Sequence, residues 1–181
     1  MATEMQLRKL DKAFSHLDAD GSGYVEQQDL NNLGVRLLAN FGTAHDEPKA
    51  RRIAEDFATF WQELAKALDV DHDQRLTPQE WRAGFTAAFV HGDAFDRSFR
   101  PGALAVLHLA DTDDDGRVSR DEFATMQRAF GTPAGEINLA FDKLDADEDG
   151  FLTIDELMLG VRQFYIGADE TAPGNWFFGT V

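Results

Sequence analysis

The sequence predicts an all-α protein of four helix–loop–helix units, which pair into two lobes that pack compactly against each other. The first observation behind this prediction is an internal repeat. Four twelve-residue segments share one pattern of acidic and oxygen-bearing residues, at 18–29 (DADGSGYVEQQD), 69–80 (DVDHDQRLTPQE), 111–122 (DTDDDGRVSRDE) and 145–156 (DADEDGFLTIDE). The second observation is that apolar residues before and after each segment recur at the spacing of one helix face. A loop between two helices is therefore expected four times.

Eight helices are predicted from these apolar faces, one entering and one leaving each segment. Before the segments, apolar residues fall at helical spacing: Leu10, Ala13, Phe14, Leu17; Trp61, Leu64, Ala65, Leu68; Ala103, Val106, Leu107, Ala110; Ile137, Ala140, Phe141, Leu144. After the segments, the corresponding residues are Leu30, Leu33, Leu37; Trp81, Phe85; Phe123, Met126, Phe130; Leu157, Val161, Phe164. The eighth residue of every segment is apolar, namely Val25, Leu76, Val118 and Leu152. A residue of this kind fits a short strand, so we expect brief β pairing between neighbouring loops.

The positions of the segments predict two structural units. Residues 1–91 hold the first pair of loops, and residues 92–181 hold the second pair together with an apolar tail at 173–181. The connector inside the first pair is long, because residues 40–48 interrupt an otherwise helical pattern. Between the units, residues 91–102 (HGDAFDRSFRPG) lack a long helical pattern and are predicted to form a bent connection. We therefore expect the two lobes to fold back on each other.

Composition excludes several classes of function. The chain of 181 residues has 17 basic and 33 acidic residues, which leaves a formal net charge of −16. Such a chain repels nucleic acid and anionic membranes, so neither is an expected partner, whereas cations are. Its 15 Phe and 3 Trp argue against disorder, and the absence of cysteine excludes disulfides and thiolate metal sites. Without a recognisable signal peptide or a long apolar run, we expect a cytoplasmic protein and a monomer.

The residue types in the four segments match the needs of a calcium ion. Calcium takes six to eight oxygen ligands, from side chains at positions one, three and five, a backbone carbonyl at seven and a carboxylate at twelve. The predicted ligands are Asp18, Asp20, Ser22, Tyr24 and Asp29; Asp69, Asp71, Asp73, Arg75 and Glu80; Asp111, Asp113, Asp115, Arg117 and Glu122; Asp145, Asp147, Asp149, Phe151 and Glu156. The residues at position seven act through their carbonyl oxygens. Three to four calcium ions are expected per chain.

The four segments differ in completeness. The third and fourth have Asp at positions one, three and five, Gly at six and Glu at twelve, so no side-chain ligand is missing. The first ends in Asp29, which is shorter than Glu and favours the tighter octahedral shell of Mg²⁺, so magnesium is an expected competitor there. The second has Gln74 where glycine is usual, and a positive φ at this residue costs on the order of 1–2 kcal/mol. Either this second loop binds an ion, or it stays empty and only pairs structurally with the first loop.

The four segments resemble EF-hand calcium-binding loops. Over about 7–179, the layout of the chain resembles the sarcoplasmic calcium-binding proteins and their bacterial relative calerythrin. This resemblance is carried by the long first connector, by Asp29 at position twelve of the first loop, and by a Phe-x-Arg-x-x-x-Pro pattern at 95–101. It implies a four-EF-hand fold with calcium as ligand. The second loop is often degenerate in such proteins, whereas its ligand residues are intact here.

Three classes of function compete. An intracellular calcium buffer or transporter keeps its apolar grooves filled, whereas a calcium sensor exposes a groove for a target protein. The chain has only four Met, the residue typical of adaptable grooves. We expect Trp176, Phe177 and Phe178 to insert into the protein's own cleft, which favours the buffer, with the sensor as the alternative. An enzyme is not expected, because acids that hold metal cannot be catalytic and no catalytic motif accompanies them.

Overall fold

The protein is largely helical. The computed structural model describes residues 2–90 and 95–181. Its α-helices are α1 (Glu4–Leu17), α2 (Gln27–Phe41), α3 (Pro48–Leu68), α4 (Pro78–Phe85), α5 (Arg100–Ala110), α6 (Arg120–Phe130), α7 (Ala134–Leu144) and α8 (Ile154–Ile166). The other elements are π-helical segments at Thr86–Val90 and Phe95–Phe99, strands β1 (Arg117–Ser119) and β2 (Phe151–Thr153), and a 3₁₀ turn at Pro173–Trp176. No helix within these two ranges is long and apolar enough to cross a membrane.

The end of each of the last three loops is also the beginning of the next helix. In α4, α6 and α8, the Ser or Thr at loop position nine is the N-cap, and its side chain accepts a hydrogen bond from the N–H of the Glu at position twelve. That Glu accepts in turn from the N–H of the N-cap residue, which completes a capping box. The pairs are Thr77 with Glu80, Ser119 with Glu122, and Thr153 with Glu156. The loop sequence therefore sets both the start of the exiting helix and the orientation of the carboxylate at position twelve.

The eighth residues of paired loops lie opposite each other, which confirms the predicted β pairing. β1 and β2 pair antiparallel, with Val118 opposite Leu152. Val25 and Leu76 form the matching bridge in the first lobe, through two N–H···O=C bonds of 3.0 and 2.8 Å. All four side chains are fully buried, so each bridge also anchors its two loops to the core.

The two lobes pack against each other around one continuous hydrophobic core. Helix α2 contacts α6, α3 contacts α5, and α1 contacts α8. Aromatic rings from both lobes meet in this core: Tyr165 of α8 lies 5.8 Å from Phe85 and 4.3 Å from Phe99, measured between ring centroids. The predicted all-α fold, with two paired lobes packed compactly, is confirmed.

The connection between the lobes differs in part from the sequence prediction. Residues 91–94 lie outside the described residues, and the predicted boundary falls between 91 and 92. The division into 1–91 and 92–181 therefore stays a prediction. Residues 95–102 are helical rather than bent, because Phe95–Phe99 leads directly into α5. Phe95 and Phe99 are buried and stack at 5.2 Å, which favours a helical path that brings both rings to the core. Pro101 is compatible with this path because it lies in the first turn of α5.

The C-terminal tail turns back into the core. Phe177 and Phe178 are buried. The ring of Phe177 meets Phe123 of α6 edge-to-face at 6.2 Å, and the ring of Phe178 meets Phe164 of α8 at 5.0 Å. The carbonyl of Phe177 accepts a hydrogen bond of 2.8 Å from Nε2 of Gln127. Two of the three tail aromatics thus insert into the protein's own cleft.

The prediction that Trp176 also inserts is wrong. Its side chain is only partly buried, and its ring lies 5.8 Å from Nζ of Lys143. A cation over an indole face is a favourable contact at a protein surface. Trp176 therefore has a partner outside the cleft.

Candidate metal centres

Three loops gather carboxylates into compact groups. Within the described residues, one oxygen from each of positions one, three and five lies within 4.8 Å of the other two in the second, third and fourth loops. The groups are Asp69, Asp71, Asp73; Asp111, Asp113, Asp115; and Asp145, Asp147, Asp149. Negative charges this close repel one another unless a positive charge lies near them. Oxygen donors in this arrangement suit a hard divalent cation.

The carboxylate at position one has the same orientation in every loop. Its Oδ2 accepts a hydrogen bond from the N–H of the residue at position six: Gly23 to Asp18 at 3.0 Å, Gln74 to Asp69 at 3.0 Å, Gly116 to Asp111 at 3.0 Å, and Gly150 to Asp145 at 3.1 Å. The second loop keeps this bond although it lacks the glycine. Gln74 has a φ of 64°, compared with 83–86° for the three glycines. The left-handed backbone that costs energy in a non-glycine residue is therefore present.

One oxygen in the second loop has no partner. Oδ1 of Asp69 is buried and makes no hydrogen bond to any residue that the structure describes. A buried acceptor without a partner costs about 1–3 kcal/mol, and more when it is charged. A cation between Asp69, Asp71 and Asp73 would supply that partner. The donor set of the second loop thus fits a metal ion.

The carboxylate at position twelve closes the second and third loops. Oε2 of Glu80 accepts from the N–H of Thr77 at 3.0 Å, and Oε1 accepts from the N–H of Val70 across the loop at 3.1 Å. The bonds from Thr77 hold the pKa of Glu80 below its usual value, so this carboxylate is ionised and ready to bind a cation. In the third loop, Oε1 of Glu122 likewise accepts a hydrogen bond of 3.0 Å across the loop from the N–H of Thr112.

The first loop has a shorter and less charged set of donors. Oδ2 of Asp29 accepts from the N–H of Glu26 at 2.8 Å, but the described residues show no bond from Asp29 to position two of its loop. Burial raises the pKa of Asp29, and the nearby charges of Asp20 and Asp18 raise it further. Position five is Ser22, whose hydroxyl donates to Oδ1 of Asp18 at 3.2 Å.

The predicted residues at position seven lie beside those at position five. The carbonyl oxygen of Tyr24 lies 3.1 Å from Oγ of Ser22 and is the alternative acceptor for the same hydroxyl proton. In the other loops the N–H at position seven donates to the carboxylate at position five: Arg75 to Asp73 at 2.8 Å, Arg117 to Asp115 at 2.8 Å, and Phe151 to Asp149 at 2.9 Å. The assignment of all twenty residues as metal ligands stays a prediction.

Sequence analysis missed one charged residue at these loops. Nζ of Lys49 donates to the carbonyl of Asp111 at 2.6 Å and lies 2.7 Å from Oδ1 of Asp114. Lys49 and Asp111 are 62 residues apart along the chain and belong to different lobes. No local pattern marks such a contact, because it depends on how the lobes pack.

Comparisons with known proteins agree with the geometry of the loops. A family model described as an EF-hand domain pair matches residues 59–128, and one described as an EF hand matches residues 137–161. Calerythrin of Saccharopolyspora erythraea is 30% identical over 169 residues, which cover 92% of this chain and 96% of calerythrin.

Solved structures share the whole fold. A calcium-binding protein of Streptomyces coelicolor is 29% identical, with a TM-score of 0.78 over 91% of this chain and 99% of that protein. A sarcoplasmic calcium-binding protein from amphioxus has a TM-score of 0.79 over 100% of both chains, and its 14% identity makes this a likeness of fold alone. Because calerythrin matches nearly end to end and the family models include the last three loops, the protein belongs to the EF-hand calcium-binding proteins, in the family that includes calerythrin.

Proposed function

We propose that the protein is an intracellular calcium buffer or transporter with four EF-hand sites. Each loop takes one calcium ion through its five predicted ligand residues. The buried, unpartnered oxygen of Asp69 supports occupancy of the second loop. Magnesium competes with calcium at the first loop, because Asp29 is too short to close a large coordination shell easily.

The observation that carries the buffer proposal is that the protein's own tail occupies its apolar cleft. The ring of Phe178 lies 5.0 Å from Phe130 of α6 and 5.0 Å from Phe164 of α8, so it sits between two exiting helices. Gly160 leaves room for the neighbouring ring, since a Cβ there would lie 3.0 Å from Phe177. A calcium sensor exposes a groove of this kind to a target helix. Here residues of the same chain already cover it.

Little of the cleft is left for a partner. A cavity of about 70 Å³ remains between the lobes, and Phe57, Val106 and Phe178 are among the apolar side chains that line it. An engineered apolar cavity of about 150 Å³ accepts one benzene molecule, so this cavity is too small for the side chains of a target helix. Among the described residues that line it, Met126 is the only methionine. The surface therefore lacks the adaptable side chains of a promiscuous groove.

Charge supports the rest of the proposal. The net charge of −16 disfavours nucleic acid and anionic lipid, which leaves calcium ions as the expected partner. We propose a cytoplasmic monomer. A target protein is a partner only under the sensor alternative.

Binding of an apolar dye tests this proposal. The intact protein should bind little dye, whether calcium or a chelator is present. Deletion of residues 173–181 should increase dye binding in calcium, because the two buried rings, Phe177 and Phe178, each remove roughly 150–250 Å² from water. Phe178→Ala repeats the test with the tail still attached, in case the truncated chain does not fold. Trp176→Ser is the matched control and should bind little dye, since Trp176 lies outside the cleft.

The sensor alternative predicts a different pattern. The intact protein would bind dye when calcium is added, and neither the truncation nor Phe178→Ala would change the signal. That pattern would overturn the buffer proposal.

A further inference from the structure

A lysine of the first lobe lies against the third loop. Its ammonium donates to the carbonyl of Asp111 at loop position one, at 2.6 Å, and pairs with Asp114 at position four, at 2.7 Å. Six of the twelve residues in this loop are acidic. Lys49 thus brings a positive charge from one lobe to a concentrated negative charge in the other.

The position of Lys49 is unfavourable for its own helix. It follows Pro48 in the first turn of α3, where the helix dipole disfavours a cation. The same ammonium lies at the C-terminal end of α5, whose C-cap is Asp111, and a cation is favourable there. The charge of this lysine therefore stabilises α5 and the third loop rather than α3.

The fourth loop offers an internal comparison. The third and fourth loops have the same residue types at positions one, three, five, six and twelve. Their backbone geometry also agrees, with the glycine N–H 3.0 Å from Asp111 in the third loop and 3.1 Å from Asp145 in the fourth. Arg117 is a second cation at the third loop, 3.4 Å from Asp115, but it belongs to the loop itself. Lys49 is a charge that the first lobe adds.

We propose that Lys49 is a counter-cation of the third loop and lowers the calcium affinity of that loop by electrostatic competition. The inference rests on the proposed binding of calcium there. Without calcium, the ammonium offsets part of the repulsion among the loop carboxylates. With calcium bound, the two cations repel each other. The coupling is reciprocal, so calcium in the third loop weakens a contact that joins the two lobes.

A single positive charge bonded to loop positions one and four should change the affinity of that loop for a divalent ion by roughly three- to tenfold at low salt. A purely mechanical anchor would act in the opposite direction, because losing it would loosen Asp111 and weaken calcium binding. The sign of the change therefore separates the two roles.

The experiment is a calcium titration of the whole protein followed by NMR, at low salt and with a calcium-buffering chelator. The amide signals of Gly116 and Gly150 report on the third and fourth loops, because each N–H donates to the carboxylate at position one. Lys49→Met removes the charge, and Lys49→Arg keeps it. Lys66→Met is the matched control, since Lys66 is an exposed lysine at the other end of α3.

Lys49→Met should raise the calcium affinity of the third loop by roughly three- to tenfold, and this gain should vanish near 1 M salt, where the Debye length is about 3 Å. Lys49→Arg and Lys66→Met should leave the third loop unchanged, and the fourth loop should be unchanged in every variant. If Gly116 responds to calcium but Lys49→Met leaves the affinity unchanged or lower, the inference is overturned and the proposed function stands. If calcium does not shift Gly116 even in the wild type, the proposed function fails at this loop, and the inference fails with it.

Discussion

Nζ of Lys9 donates a hydrogen bond of 2.9 Å to Oδ1 of Asn175, which joins the first helix of the protein to its C-terminal tail. The same ammonium donates to the carbonyls of Gln163 and Gly167, at 2.8 and 2.9 Å. These two carbonyls lie at the C-terminal end of α8, where the helix dipole favours a cation. The side chain of Lys9 is fully buried, and burial lowers its pKa to about 8. A single side chain thus connects α1, α8 and the tail.

Replacing Lys9 tests the importance of this connection. Lys9→Met removes the ammonium donor from three oxygens, of which the carbonyl of Gln163 still accepts from the N–H of Gly167. Each group left unsatisfied costs about 1–3 kcal/mol, part of which relaxation recovers. We expect the free energy of unfolding to fall by about 3 kcal/mol, measured by urea denaturation in chelator. Lys66→Met, at an exposed position, should change it by less than about 0.5 kcal/mol. Equal effects of the two substitutions would contradict this role of Lys9.

The buried histidine of α1 predicts a dependence on pH. Among the residues that the structure describes, Nδ1 of His16 is buried without a partner, and burial together with the charges of Lys12 and Arg36 lowers the pKa of His16 to about 4. The unfolded chain takes up this proton near pH 6.5. Because the unfolded state binds more protons between these two values, the stability that His16 contributes is complete above about pH 6.5 and is lost as the pH falls toward 4.

The full shift of the His16 pKa corresponds to about 3 kcal/mol. Urea denaturation in chelator, repeated between about pH 6.5 and pH 4, measures the effect. The free energy of unfolding should fall less over this range in His16→Leu than in the wild type. Parallel curves for the two proteins would show that His16 is not the group responsible.

Occupancy of the second loop can be tested by substitution at its first position. Asp69→Asn keeps an oxygen that can accept from the N–H of Gln74 but removes the negative charge that a cation needs. The number of calcium ions bound per chain, counted by calorimetry, should fall by one. Asp46→Asn, a substitution at an exposed acid in the first connector, should leave that number unchanged. A wild type that binds no more calcium than Asp69→Asn would mean that the second loop is empty.

Lengthening the carboxylate of the first loop should change its ion preference. In Asp29→Glu the longer side chain can reach across the loop, as Glu80 does in the second. We expect calcium affinity at the first loop to rise by about tenfold, equivalent to about 1.4 kcal/mol, and magnesium competition to weaken. The amide signal of Gly23 reports this loop during a calcium titration with and without magnesium. Equal or weaker calcium binding would show that the length of this carboxylate does not limit the site.

The loops and the helix starts could be predicted because they depend on residues close together in the sequence. Each capping box links positions nine and twelve of one loop, and the pairing of Val118 with Leu152 follows from the register of the repeat. The contacts of Lys9 and Lys49 could not be predicted, because their partners lie on other elements more than sixty residues away. The helical path at Phe95–Phe99 was missed for a similar reason: it depends on a core that both lobes complete.

The position of Trp176 shows the limit of composition as a guide. Three adjacent aromatic residues without charge predicted insertion of all three rings. The structure buries Phe177 and Phe178, and it places Trp176 near Lys143 at the surface. Which rings enter the cleft depends on the backbone turn at Pro173–Trp176 and on partners that are distant in sequence.

Calorimetric titration of the calcium-free protein tests the central claim most directly, because it counts the filled loops. The account predicts four calcium ions per chain, or three if the second loop is empty. Binding should also raise the melting temperature, since a site at about a thousand times its dissociation constant adds about 4 kcal/mol. Saturation at three to four ions, with a melting temperature that chelator lowers, is the predicted result. Saturation at two or fewer ions, or a melting temperature that chelator does not change, would contradict the account.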